Sequence, residues 1–234
     1  MSPQDRLGPQ LPLALRYPPD QRFETWLGAP AALAQLQALA LGASSDALYL
    51  QGGNGSGKTH LLLAACAAAE AGGRHANYLS LQRVRGHARD ALQGMEQADL
   101  VALDDLDALA GEREDEIALF DLHNRVRDAG AGLVYAAHDV PATLPLVLPD
   151  LGSRLAQCTL VALRALDDAG RAEVLRQRAA SRGLLFDEAA LDWLLKRCSR
   201  DLSDLSALFE QLDRASLAAQ RRLTVPFLRQ VLDA

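Results

Sequence analysis

The segment Gly52-Gly53-Asn54-Gly55-Ser56-Gly57-Lys58-Thr59 constrains this chain more than any other, because it matches G-x-x-x-x-G-K-[ST] at every fixed position. Glycines at these spacings let the backbone turn back so that its N–H groups face phosphate oxygens. The helix that follows adds the positive end of its dipole. Lys58 suits the β- and γ-phosphates of a nucleotide, and the Thr59 hydroxyl suits a Mg²⁺ ion beside them. The context agrees. Ala47-Leu48-Tyr49-Leu50 reads as a short buried strand, and the alanine-rich stretch from Lys58 toward Gly72 reads as a helix. Lys58 and Lys196 are the only lysines among 24 basic residues, so a lysine at this place is not a product of composition. The competing reading, a glycine-rich structural turn, needs neither the lysine nor the hydroxyl.

A P-loop works with a second acid. Leu100-Val101-Ala102-Leu103 is an apolar strand that runs into Asp104-Asp105. Asp104 is expected at the carboxyl end of a strand beside the P-loop strand, where ligands bind in such sheets and where it would hold the metal. Asp105 is then placed to polarise a water; the alternative is an acidic loop that solvates a strand end. Asp107 is expected to face solvent. His138 follows the expected strand Gly132–Ala137, and reads equally as a sensor of the γ-phosphate or as a surface-loop histidine. Arg154 follows Pro149-Asp150-Leu151-Gly152-Ser153 in a helical stretch. An arginine there can reach a nucleotide held by a neighbouring molecule and stabilise transition-state charge. The residues alone do not separate that role from an ordinary surface arginine.

Around these motifs, strands and helices alternate. A helix is expected over 31–41, ended by Gly42, then a strand over 75–81, a helix over 83–95, a helix over 112–129 and a last strand over 160–163. This alternation predicts an α/β fold, a parallel sheet with helices on both faces. Beyond Asp167 the pattern becomes helical only, over 168–182, 187–197, 202–219 and 225–232, which places a boundary near residue 165. The first 22 residues hold five prolines, Pro3, Pro9, Pro12, Pro18 and Pro19, and read as an extended tail. The expected organisation is thus a tail over 1–22, a nucleotide-binding α/β domain over 23–165 and a helical domain over 166–234.

Composition removes several classes. In 234 residues, 49% hydrophobic and 23% charged content describe a globular chain with a real core. No stretch approaches the ~18–20 apolar residues of a membrane span, and residues 1–22 hold no unbroken apolar run of the secretory kind. A cytoplasmic protein is expected. The net charge of −6 argues against a domain that grips a phosphate backbone unaided. Cys66, Cys158 and Cys198 are scattered without zinc spacing and read as reduced thiols. A small-molecule kinase would place its P-loop near the start, whereas about fifty residues precede it here.

The residues also carry a resemblance. Phe23-Glu24-Thr25-Trp26 ahead of the P-loop, and Gly52 to Leu62 ending in Gly-Lys-Thr-His-Leu-Leu, resemble the AAA+ domain of the bacterial replication initiator DnaA. The chain is more similar still to the Hda-type regulators of that family. The matching pieces are Gln10-Leu11-Pro12-Leu13-Ala14-Leu15, Ile117 to Arg125, Leu148 to Leu155, Gln211 to Ser216 and Leu223 to Phe227. The likeness covers nearly the whole chain. It implies an AAA+ P-loop NTPase base with a small helical lid, and ADP or ATP with Mg²⁺ as cofactor. The implied nucleotide set is Phe23, the P-loop residues 52–59 and, from the lid, Arg200; Thr59 and Asp104 are the metal pair.

Regulators of the Hda type bind the DNA-loaded sliding clamp, the beta subunit of DNA polymerase III, through a short N-terminal motif. They promote hydrolysis of DnaA-bound ATP and so switch off initiation. The motif maps to Gln10, Leu11, Leu13 and Leu15, a glutamine followed by leucines in a tail suited to an apolar pocket. The other reading of the tail is a leader with chance leucines. The arginine finger maps to Arg154, acting in trans on DnaA-ATP. Contact with DNA is expected only through the clamp, with no membrane and with a homo-oligomer possible through the exposed finger. Two positions depart from the pattern. The lid arginine of the family falls at Ser203, with Arg200 one turn earlier, and His138 stands where DnaA-type proteins carry an aspartate. Both point to weak or absent intrinsic ATP hydrolysis. No DNA-binding helix-turn-helix of the DnaA kind is expected after the lid. The rival reading is an ATP-driven helicase loader or remodeller of the AAA+ class.

Overall fold

The computed structural model describes Tyr17, residues 21–181, 187–197, Leu212 and residues 223–232. Its centre is a parallel sheet of five strands: β1 (Ala47–Gln51), β2 (Ala76–Ser80), β3 (Leu100–Asp104), β4 (Gly132–Ala137) and β5 (Thr159–Ala162). Their order across the sheet is β2-β3-β4-β1-β5. Every pairing is parallel, with Leu50 opposite Ala136 and Val161, and Asp104 opposite Ser80.

Strands buried on both faces read as unbroken apolar runs, and their side chains alternate between two cores. One core takes Leu48, Leu50, Ala102, Val134 and Ala136, covered by α1 (Pro30–Ala40) and α2 (Lys58–Ala71). The other takes Tyr49, Val101, Leu103, Leu133 and Tyr135, covered by α3 (Ala88–Ala91), α4 (Arg113–Asp128) and α5 (Pro149–Ala156). Helix α4 carries Glu114, Asp115 and Glu116 in its first turn and Arg125 and Arg127 in its last. That arrangement opposes the helix dipole at both ends. Beyond the sheet, α6 (Asp168–Ser181), α7 (Glu188–Arg197) and α8 (Val225–Leu232) share a small core that includes Leu175, Leu191, Leu194, Leu212 and Leu228. No helix among the described residues is long and apolar enough to cross a membrane.

Two expectations are corrected. The segment expected as one helix over 83–95 is broken into a 3₁₀ turn at Leu81–Val84, the single turn of α3 and a second 3₁₀ turn at Met95–Gln97. Gly86 sits at φ +80, and the buried Asp115 carboxylate accepts N–H bonds from Gly86 (2.6 Å) and Ala88 (3.2 Å). These tethers outweigh local helix preference. The second correction concerns β3, which does not lie beside the P-loop strand; β4 stands between them. The expected helix over 202–219, apart from Leu212, the tail residues Gln10, Leu11, Leu13 and Leu15, and Arg200 and Ser203 lie outside the described residues.

Candidate nucleotide site

The P-loop leaves β1 at Gln51 and closes on the first turn of α2. Gly55 (φ +72) and Gly57 (φ +89) adopt left-handed backbone that other residues rarely reach. A Cβ on Gly52 would lie 2.5 Å from Ser56 Oγ, and one on Gly57 would lie 2.4 Å from the Trp26 ring. Lys58 Nζ is folded back onto its own loop, donating to the carbonyls of Gly52 (2.6 Å) and Gly53 (3.1 Å). Helix α2 packs across β2 and β3 rather than over β1 alone. Its first turn therefore reaches Asp104 although the strands are not neighbours. Thr59 Oγ1 donates to Asp104 Oδ2 at 2.6 Å.

Asp104 is 1% exposed. Besides Thr59, it accepts from the Tyr78 hydroxyl on the same Oδ2 (3.1 Å) and from the Asp105 N–H on Oδ1 (3.0 Å). Burial pushes its carboxyl up from the ordinary value, the Thr59 bond lowers it, and the neighbouring Asp105 raises it again. Burial likewise raises the Tyr78 hydroxyl, with the Asp104 charge adding to it, so Tyr78 remains a donor. Asp105 is the one non-glycine described residue at positive φ (+57), and its carboxylate accepts from Ser80 Oγ at 2.6 Å. Asp107 does not face solvent freely as expected. Its carboxylate caps the end of β4, accepting from the N–H groups of His138 (2.8 Å) and Asp139 (3.4 Å). His138 then meets Asn54 of the P-loop, Nε2 to Oδ1 at 2.5 Å.

These side chains open on one cleft of about 660 Å³, within the roughly 300–1,000 Å³ usual for small-molecule sites. Asn54, Gly55, Ser56, Gly57, Lys58, Thr59, Asp104, Asp105 and His138, all named from the sequence, line it together. Gly52 and Gly53 contribute their carbonyls to Lys58 beneath the loop. Phe23 is a correction: its ring is 8% exposed and packs in the core on the α2 face, and it does not line the cleft. Thr25 and Trp26 of the same segment do. The sequence reading missed Gln21, Trp26, Tyr78 and, from α6, Arg178. Arg178 is 7% exposed and lies four residues beyond Val174, which also lines the cleft. A buried arginine at helical spacing on a core-facing side was its one readable signal.

The residues fit a nucleotide and a hard cation. Gln21 Oε1, Trp26 Nε1 and Ser56 Oγ, all at the cleft, are buried without a hydrogen-bond partner among the described residues, which is unusual for polar atoms. A Cβ on Gly53 would meet nothing within 4 Å, leaving its backbone open to a ligand. Thr59 spends its hydroxyl hydrogen on Asp104, so its oxygen lone pairs are available to a metal. One hydroxyl and one carboxylate beside phosphate oxygens is the oxygen set Mg²⁺ takes in such sites. Among the described residues no group of three or more His, Cys, Asp or Glu could hold a metal by itself.

Arg154 stands apart from this cleft, exposed on α5. Leu151 and Leu155 of the same helix are wholly buried. The start of α5 is held by the buried Glu116, whose carboxylate accepts the N–H groups of Val147 (3.0 Å) and Leu148 (2.7 Å). Beneath it, His123 is 5% exposed and its Nδ1 lies 3.0 Å from the Tyr135 hydroxyl. Burial lowers the imidazole to about 4, helped by the charges of Arg154 and Arg127.

Known structures share this fold. Domain III of the Thermotoga maritima replication initiation protein DnaA is 20% identical, with a TM-score of 0.78 over 94% of this chain and 98% of its own. A replication initiator DnaA, solved with AMPPCP and single-stranded DNA, is 23% identical with a TM-score of 0.65 over 84% of this chain. The present chain spans 65% of that protein's length. The Thermotoga maritima RuvB Holliday junction branch migration motor is 17% identical, with a TM-score of 0.62 over 91% of this chain and 71% of its own. At these identities the likenesses establish the fold, a AAA+ base with a helical lid. The family profile of the Hda lid domain matches residues 168–232. That of the bacterial DnaA ATPase domain matches residues 20–162, more than half of the sequence, and the chain therefore belongs to the DnaA family of AAA+ proteins.

Proposed function

We propose that this chain is a regulator of replication initiation. It holds ADP or ATP with Mg²⁺ in its own cleft and docks through Gln10, Leu11, Leu13 and Leu15 on the DNA-loaded sliding clamp. It presents Arg154 to the ATP bound by DnaA. The observation that carries the reading is Arg154 itself, exposed outside its own cleft on a helix fixed by Leu151, Leu155 and Glu116. A guanidinium that completes another protein's site must be both accessible and rigidly based, because small misplacements cost much of the rate. Its role is electrostatic. As DnaA's γ-phosphoryl group passes to water, charge builds on the phosphoryl oxygens, and Arg154 stabilises it.

Within its own cleft, Lys58 and the P-loop N–H groups bind phosphate, Thr59 and Asp104 hold Mg²⁺, and Arg178 and Val174 close the site from the lid. Bound Mg²⁺ would neutralise phosphate charge there. Asp105 and the His138–Asn54 contact favour a second reading, an ATP-driven loader or remodeller, since they are the groups that intrinsic turnover would use. Steady ATP turnover by the isolated protein would support that reading instead.

The test supplies DnaA with labelled ATP, the DNA-loaded clamp and this protein, and follows conversion to ADP. Conversion is expected to need both clamp and protein. Arg154→Ala is expected to lower it by about 10³-fold or more, as removal of such fingers does, with ADP binding and clamp retention unchanged. Full conversion by that variant overturns the reading.

A further inference from the structure

Tyr78 belongs to neither the P-loop nor the acidic strand end. It lies on β2, the edge strand farthest from β5, and its register partner on β3 is Ala102. Its side chain lines the cleft, and its hydroxyl reaches across to Asp104 Oδ2, the oxygen that also accepts from Thr59. A carboxylate can rotate about its Cβ–Cγ bond. Here one oxygen is held by two hydroxyls from different elements, and the other by the Asp105 N–H. The orientation of Asp104 is thereby over-determined before any ligand arrives.

We infer that Tyr78 is a positioning residue for the metal: its hydroxyl fixes Asp104 in the orientation that meets a Mg²⁺–nucleotide complex beside Thr59. The inference rests on the reading of the cleft as a nucleotide–metal site. The Thr59 bond ties Asp104 to the first turn of α2, whereas the Tyr78 bond ties it to the edge strand of the sheet. Loss of an outer hydrogen bond of this kind typically costs about 10–100-fold in metal affinity. Phosphate contacts from Lys58 and the loop N–H groups do not pass through Tyr78. Its removal should therefore weaken nucleotide binding only when Mg²⁺ is present.

The test is ADP binding by calorimetry on the full chain, in excess Mg²⁺ and in EDTA. In Tyr78→Phe, which keeps the ring, the affinity in EDTA is expected to match the wild type. The tightening produced by Mg²⁺ should fall by roughly tenfold. Ser80→Ala, which instead releases Asp105, is expected to keep the wild-type tightening. A Tyr78→Phe response to Mg²⁺ equal to or stronger than wild type overturns the inference. Equal losses in both variants also overturn it, since that marks a general loosening of β2. A wild-type protein whose ADP affinity ignores Mg²⁺ overturns the metal reading of the cleft, and the role of Tyr78 with it.

Discussion

The cleft and the outer face of α5 are built on opposite plans. In the cleft the titratable groups and several hydroxyls are engaged with their own chain, although Gln21, Trp26 and Ser56 are not: Lys58 bonds Gly52 and Gly53, Thr59 and Tyr78 bond Asp104, Ser80 bonds Asp105, and His138 meets Asn54. On α5, Arg154 is exposed and makes no side-chain hydrogen bond or ion pair among the described residues. Groups that satisfy one another hold a geometry in advance of a ligand, at the cost of exchanging those bonds when it binds. An exposed guanidinium on a packed helix keeps its charge for whatever meets it. The contrast fits a protein whose own site maintains shape while its chemistry is exerted elsewhere.

The sharpest way to break that contrast within the chain is Lys58→Ala. Lys58 is 9% exposed and touches two loop carbonyls; on the proposed reading of the cleft its replacement removes a charge-assisted phosphate contact. Such contacts contribute about 2–3 kcal/mol, on the order of 100-fold in affinity. ADP binding by calorimetry should weaken by that factor. If the cleft serves shape alone, stimulation of DnaA should return once ADP is raised to saturate the variant. Stimulation still absent at saturation would mean that Lys58 takes part in the transferred chemistry and that the two regions are not separable.

Gly57→Ala probes the same boundary with a smaller effect. Its φ of +89 disfavours a side chain, and the added Cβ would strike the Trp26 ring at 2.4 Å. Strain at such a position costs about 1–3 kcal/mol. Urea denaturation should report a loss in that range. Combining it with Trp26→Ala should recover the steric part and leave the backbone part. Full recovery would show that the turn itself tolerates alanine.

Much of this was legible from the residues, and for identifiable reasons. Buried parallel strands are apolar runs, so β4 was expected over the same residues, 132–137, that it occupies. The P-loop and Asp104-Asp105 are local signals and fell in one cleft. What failed was non-local. Ala88, Leu92 and Met95 are buried at helical spacing, yet their segment is pinned by Asp115 from a distant helix. Phe23 and Trp26 are both aromatic and three residues apart, and only the packing decides that Phe23 enters the core while Trp26 lies on the loop. Tyr78 and Arg178 reach the cleft from an edge strand and a lid helix, a meeting that no local spacing records.

The smallest effect tests the α5 side, where His123 is buried against Tyr135 and feels Arg154. Its imidazole titrates near 4 in the folded chain, against an ordinary value of 6.5. Below pH 6.5 the unfolded chain therefore binds a proton that the folded chain refuses, so stability falls with pH from about 6.5 toward 4. At pH 5 the loss amounts to about 2 kcal/mol. Asp104, whose carboxyl is raised by burial, acts with the opposite sign, because the folded chain then holds the extra proton. The comparison must therefore be made against a variant. His123→Gln keeps a polar partner for the Tyr135 hydroxyl and cannot titrate. Urea denaturation at pH 7 and pH 5 should show wild type losing about 2 kcal/mol more than this variant. Equal losses would mean that His123 accepts its proton without unfolding, and that the helix beneath Arg154 is less closed than its neighbours' burial implies.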